Sequence, residues 1–135
     1  MSSGPALVSI LRQGSYLIAS VHTALDDSEM VRFQKDLIDQ IGRHRSSGVV
    51  IDVAALDVLD SFGSRTLRTI AEMARLRGAV TVIVGIQPEV AFAMVKLGMG
   101  TGAVPTALDL EEGLAFLNSG IGRQRPVAPG DAILT

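Results

Sequence analysis

Apolar positions along the chain switch between short strand-like runs and helical spacing, and each switch marks an element. Ala6 to Leu11 and Tyr16 to Val21 read as two short strands joined through a hairpin-like turn at Arg12-Gln13-Gly14-Ser15. Asp26-Asp27-Ser28 then opens a helix. Its apolar positions Met30, Val31, Phe33, Leu37, Ile38 and Ile41 fall mostly on one face, with Arg32, Lys35, Asp36 and Asp39 on the other. Acids at its start and Arg43, His44 and Arg45 at its end complement the helix dipole, and Ser46-Ser47-Gly48 stops it. Val49 to Val53 is β-branched apart from Asp52, the pattern of a buried strand. After a turn at Asp57 to Asp60, the spacing predicts a helix over Phe62 to Arg77, closed by Gly78. Val80 to Ile86 reads as another buried strand, and Pro88 leads a helix over Glu89 to Leu97. A short strand at Val104 to Thr106 and a helix over Asp109 to Asn118 complete the pattern.

The order β-β-α-β-α-β-α-β-α predicts an α/β domain. Four to five strands form a mixed sheet packed against four helices, with right-handed crossovers between parallel strands. Residues 1–119 are expected to form this domain. Residues 120–135, rich in Gly and Pro, are expected to be a loose tail.

The helix after Asp60 carries three kinds of position. Gly63, Leu67, Ile70, Ala71 and Ala74 share the face expected to pack on the sheet. Arg65, Arg68, Glu72 and Arg75 form a polar stripe headed by Ser61, with Ser64 beside it. Phe62, Met73 and Leu76 lie on a third flank, readable as core rim or partner surface; the hydropathy favours partner surface. At the strand-to-helix switch, Asp60 or Ser61 supplies an acceptor for the orphan N–H groups of the first turn. A phosphate there would meet the same N–H groups and the positive end of the helix dipole. The position is therefore either an ordinary cap or a phosphorylatable switch.

Composition narrows the function classes. The chain has 135 residues, 47% of them hydrophobic, enough for one domain with a proper core. A net charge of −2, one Tyr and no Trp give no reason to expect a nucleic-acid or anionic membrane partner. The absence of cysteine excludes disulfides, thiol catalysis and thiolate metal sites, and suits a reducing cytoplasm. The N-terminus lacks a signal-peptide pattern, and no apolar run approaches the ~18 residues of a membrane span. A mean hydropathy of +0.38 points to apolar surface hidden against another chain.

Rival chemistries find little support. Gly98-Met99-Gly100-Thr101-Gly102 mimics a phosphate loop but follows a helix, where a dinucleotide loop follows a strand. His22 and His44 lack metal-ligand spacing, so neither metal nor cofactor is expected. A Ser61–His22–Asp52 hydrolase lacks a nucleophile elbow and an oxyanion motif. Asp52 as a receiver-type phosphoacceptor would need acids after the first strand, and Val21-His22-Thr23-Ala24 offers none. Asp52 is expected instead to bond the turn before Ser61.

Val50-Ile51-Asp52-Val53 with Leu59-Asp60-Ser61-Phe62 resembles the strand–turn–helix signature of STAS domains, the anti-sigma-factor antagonists. Val84-Gly85-Ile86-Gln87-Pro88-Glu89-Val90 and Leu97-Gly98-Met99 resemble the family's next strand, Pro-led helix and Leu-Gly turn. The resemblance runs from about Leu7 to Leu117. Where many antagonists have Asp-Ser-Ser-Gly, this chain has Asp60-Ser61-Phe62-Gly63, closer to the RsbS-like branch of stressosome scaffolds. The resemblance implies a non-enzymatic cytoplasmic scaffold that self-associates with a larger RsbR-like STAS paralogue. It implies an RsbT-like serine/threonine kinase as partner, which phosphorylates Ser61 and leaves, signalling to a sigma factor or another output. Ser64 is the secondary phosphoacceptor candidate, and Asp60, Ser61, Ser64, Arg65 and Arg68 form the expected partner surface. A passive STAS subunit without a phosphorylation switch is the alternative.

Overall fold

In a computed structural model, residues 6–98, 100, 102 and 104–120 are described. The elements run β1 (Val8–Gln13), β2 (Tyr16–Val21), α1 (Asp27–His44), β3 (Gly48–Asp52), α2 (Ser61–Leu76), β4 (Val80–Val84), α3 (Pro88–Lys96), β5 (Thr106–Ala107) and α4 (Leu110–Asn118). The five strands lie in sequence order in one sheet. β1 is antiparallel to β2, and every later pair is parallel. This is the expected α/β architecture of a mixed sheet with four helices.

Several boundaries differ from the sequence reading. The hairpin loop is only Gly14-Ser15, because Gln13 pairs with Tyr16, so Arg12 and Gln13 extend β1. β3 begins at Gly48 and ends at Asp52, one residue before the expected Val53. The strand expected to reach Ile86 ends at Val84, because Gly85 turns the chain at φ 82°. The last strand is Thr106–Ala107 rather than Val104–Thr106. The proposed 120–135 tail lies outside the described residues beyond Gly120.

Two apolar layers flank the sheet. On one side Leu17, Ala19, Val21, Val49 and Ile51 meet α1 and α2 through Phe33, Leu37, Leu67 and Ile70. On the other, Tyr16, Ile18, Val50, Val82 and Val84 meet Leu117 of α4. Alternation along each strand sends neighbouring side chains to opposite layers, which is why β3 reads as a continuous apolar run. α4 sits close to the sheet because Gly113 has no side chain: a Cβ there would stand 2.6 Å from Val84 Cγ1.

α1 starts with a reciprocal cap. Asp26 accepts from the Glu29 N–H at 2.8 Å, and Glu29 Oε1 accepts from the Asp26 N–H at 2.8 Å. Val31, placed on the apolar face by spacing, is exposed at the edge of that face. The third flank of α2 divides. Phe62 packs against the core, and Met73 Sδ accepts from Gln34 Nε2 of α1 at 3.5 Å, so both belong to the core rim. Only Leu76, 88% exposed, remains available to a partner.

Candidate functional site

The site is built where β3 hands the chain to α2. Asp52 at the end of β3 accepts from the Ala54 N–H at 2.9 Å, which bends the chain off the sheet as expected. Leu56 is buried and Leu59 packs on the core, so the connection is anchored from below while Asp57, Val58 and Asp60 stay exposed. A small apolar cavity of about 80 Å³ lies under this segment, bordered by Val21, Leu25, Met30, Val58, Asp60 and Gly63 among others.

A second brace comes from the β4–α3 connection. The Val53 N–H donates to the Val84 carbonyl at 3.0 Å, and Gln87 Nε2 donates to the Ala54 carbonyl at 2.8 Å. Gly85 lies against Ala54 so closely that a Cβ would meet Ala54 Cβ at 2.8 Å and its backbone N at 3.1 Å. Sequence spacing alone gives no sign of this bracing by Gly85 and Gln87. A glycine between an apolar strand and a Pro-led helix was the available signal, since a left-handed turn there favours it.

The cap question resolves at α2. Asp60 is the N-cap: its Oδ1 accepts from the Gly63 N–H at 2.7 Å, and its carbonyl accepts the first helical bond from the Ser64 N–H at 2.9 Å. Ser61 is therefore the first residue of the helix, and it is exposed. Its hydroxyl is not used to cap the helix. No acidic residue lies within the first turn itself, so the N-cap carboxylate of Asp60 is the one placed to offset the positive end of the dipole from the cap position.

The remaining candidates separate. Arg65, one turn after Ser61, is exposed. Arg68 is half-buried, and its guanidinium donates to the Gly100 carbonyl at 3.3 Å, tying α2 to the glycine-rich turn. Ser64 does not join the surface. It is 7% exposed and its Oγ is buried without a hydrogen-bond partner among the described residues, because the fourth position of α2 turns into the protein. The expectation that Ser64 contacts a partner or serves as an accessible secondary phosphoacceptor is corrected on that ground. Thr66 is buried too, donating to the Phe62 carbonyl at 2.8 Å. The accessible candidates are thus Asp60, Ser61, Arg65 and, in part, Arg68.

The rival sites do not assemble. His22 Nε2 pairs with Ser9 Oγ at 2.9 Å, and Asp52 Oδ1 is taken by Ala54, so the hydrolase triad has no relay. His44 Nδ1 lies 3.1 Å from Arg12 at the far end of α1. Among the described residues no cluster of His, Asp or Glu has metal-binding geometry, and no helix is long and apolar enough to cross a membrane.

Comparison with known proteins places this arrangement. RsbT co-antagonist protein RsbRA of Bacillus subtilis (strain 168) is 31% identical over 90 residues, 67% of this chain and 33% of the relative. RsbT co-antagonist protein RsbRD of the same organism is 27% identical over 81 residues. The chain spans about a third of the length of these relatives, 33% and 29% respectively. A Ser-to-Glu variant of Moorella thermoacetica RsbS superposes with a TM-score of 0.75 at 34% identity, covering 88% of this chain and 100% of that one. A chain from the molecular architecture of the stressosome, described as a signal integration and transduction hub, gives 0.67 at 31% identity, covering 82% and 96%. Residues 8–113 match the STAS domain family itself. With the sheet order, the braced turn and this match together, the chain belongs to the STAS-domain family.

Proposed function

We propose that this chain is an RsbS-type stressosome scaffold and antagonist that holds a serine/threonine kinase and lets it go when Ser61 is phosphorylated. The observation that carries the reading is the division of labour at the start of α2. Asp60 makes the cap, and Ser61, exposed beside it, is spared from that task. A modification of Ser61 therefore leaves the helix start intact.

The electrostatics favour a change of partner over a change of fold. A phosphate adds about −1.5 to −2 charges and three acceptor oxygens. The helix start stabilises such a charge by ~0.3–1 kcal/mol at an exposed site. Arg65, one turn on, adds attraction, and the Asp57 and Asp60 carboxylates oppose it. These contributions nearly cancel within the domain. At an interface shaped for a neutral hydroxyl, the same dianion is desolvated without a partner and costs several kcal/mol. The kinase is of the RsbT type, the protein for which the relatives are named co-antagonists. A larger RsbR-like paralogue co-assembles with this chain, in the cytoplasm, and the released kinase signals to a stress-response sigma factor or another output.

Kinase binding to Ser61→Ala and Ser61→Asp, measured by biolayer interferometry, tests the reading. Ser61→Ala should bind as the unmodified chain does. Ser61→Asp should fold normally and bind at least tenfold more weakly, a loss of ~1.4 kcal/mol. Equal binding by both variants would exclude the switch and leave a passive subunit.

A further inference from the structure

Charge is divided between the two ends of the domain. Register aligns Tyr16, Gly48 and Val80, so the parallel strands β2, β3 and β4 start at one end of the sheet. α1 and α2 finish at that same end, each just before the next strand begins. Arg12 stands there near the end of β1, Arg43 and Arg45 close α1, and Arg75 and Arg77 close α2. All of these arginines are exposed. Ser61 and the helix starts lie at the opposite end.

A helix C-terminus attracts cations, which accounts for Arg43 and Arg75 on their own helices. It does not account for arginines brought to α1 from other elements. Arg12 of β1 donates from Nη1 to His44 Nδ1 at 3.1 Å. Gly42 has no side chain, and the Arg77 guanidinium lies in the space that one would fill. The last turn of α1 is thus flanked by guanidinium groups from β1 and α2. Among the described residues Arg43 pairs with Asp39, while Arg12, Arg45, Arg75 and Arg77 have no carboxylate partner. Every strong cation of the group is arginine. The chain's two lysines are Lys35, in the middle of α1, and Lys96, over the Phe92 ring of α3. Arginine presents a planar fork that holds a carboxylate through two bonds, and it is more weakly hydrated than lysine, so it suits an interface. Leu76 stands exposed between Arg75 and Arg77.

We propose that this arginine cluster is a docking surface for an acidic segment of another protein, whose carboxylates take the guanidinium forks and whose apolar side chain covers Leu76. The acidic end of a second copy fits the cluster less well. There the Asp26, Asp60 and Asp109 carboxylates already cap helices, Glu29 and Glu112 accept from backbone N–H groups, and Asp52 holds the Ala54 N–H. Nucleic acid also fits less well. The chain carries a net charge of −2, which repels a long polyanion, and its one Tyr and absent Trp give no stacking platform. The cluster lies at the far end of the sheet from Ser61, so this docking and the phosphorylation switch can each fail alone.

Fluorescence anisotropy of the full chain with a fluorescein-labelled peptide of three Glu-Glu-Leu repeats tests the proposal. The peptide should bind, and added salt should weaken it. Arg45→Glu combined with Arg77→Glu should weaken binding by about tenfold or more, while Arg65→Glu, at the Ser61 end, should leave it unchanged. Arg45→Lys combined with Arg77→Lys keeps the charge but removes the forks, and should weaken binding several-fold in a chain with an unchanged circular dichroism spectrum. A peptide of glutamate alone should bind more weakly than the mixed one, and Leu76→Ala should erase that difference. Ser61→Asp should bind the peptide as the unmodified chain does. Absence of binding at low salt, an equal loss in Arg65→Glu, or a lysine pair that binds as tightly as the arginines would overturn the proposal. So would a DNA duplex that binds more tightly than the peptide. A charge-reversed chain whose mass by light scattering falls while its peptide binding is unchanged would assign the cluster to a second copy instead, and would overturn it too.

Discussion

Exchanging Asp60 and Ser61 for alanine, one at a time, separates the residue that builds α2 from the residue that is free to signal. Asp60→Ala removes the 2.7 Å bond to the Gly63 N–H and the N-cap carboxylate that offsets the helix dipole at this end. Loss of such a cap costs ~0.5–2 kcal/mol, and about 1 is typical. No acid in the first turn of the helix replaces it, so the middle to upper half of that range is expected. Ser61→Ala deletes an exposed hydroxyl that makes no cap, at a position where alanine is a good helix former, and should stay within ~0.5 kcal/mol of the unmodified chain. Urea unfolding at neutral pH, followed by circular dichroism, reads both. With a slope of ~1–3 kcal/mol per molar, Asp60→Ala should lower the midpoint by roughly 0.5–1 M and Ser61→Ala should barely move it. A Ser61→Ala midpoint as low as that of Asp60→Ala would mean that the serine builds the helix. The claim that its hydroxyl is spare would then fail.

Other expectations follow from the braces around the site. Gly85→Ala forces a Cβ into the backbone of Ala54 at φ 82°, and should cost about 2–4 kcal/mol, lowering the thermal midpoint by well over 5 °C; a change under 1 °C would show that the brace is not rigid. The Asp26 carboxyl sits below its usual value of 3.8, chiefly because the Glu29 N–H bonds its charged form and then because the Ser28 hydroxyl does. Its contribution to stability is therefore complete above that ordinary, unfolded value and is lost as pH falls through the lower folded value. Urea midpoints between pH 6 and pH 2 should fall less steeply for Asp26→Asn than for the unmodified chain, and parallel profiles would contradict this linkage.

The elements that sequence made legible are those whose two faces differ. α1 and α2 show helical apolar spacing with charged outer faces, and both form where the spacing places them, within a residue or two. β3 and β4 are buried on both faces and stand out as unbroken β-branched runs. Strand ends were less legible because they depend on pairing and on backbone turns. Gly85 stops β4 through its left-handed φ, and Gln13 joins β1 because Tyr16 stands opposite. At the site, spacing put Ser61 and Arg65 one turn apart, and both are exposed, but it could not choose between Asp60 and Ser61 as cap, since both residue types fill that role. Ser64 shows the opposite error. Its hydroxyl reads as surface chemistry on a helix face, yet the fourth residue of α2 turns into the protein and is buried there. The hold of Gln87 on Ala54 links residues 33 positions apart and leaves no periodic trace in the chain.

Site-resolved mass spectrometry after incubation with ATP and the RsbT-type kinase bears most directly on the whole reading. A single added phosphate on Ser61, with Ser64 unmodified and kinase appearing in the unbound fraction, is the expected result. Phosphate on another residue with Ser61 bare, or stoichiometric phosphorylation of Ser61 with the kinase still bound, would contradict it.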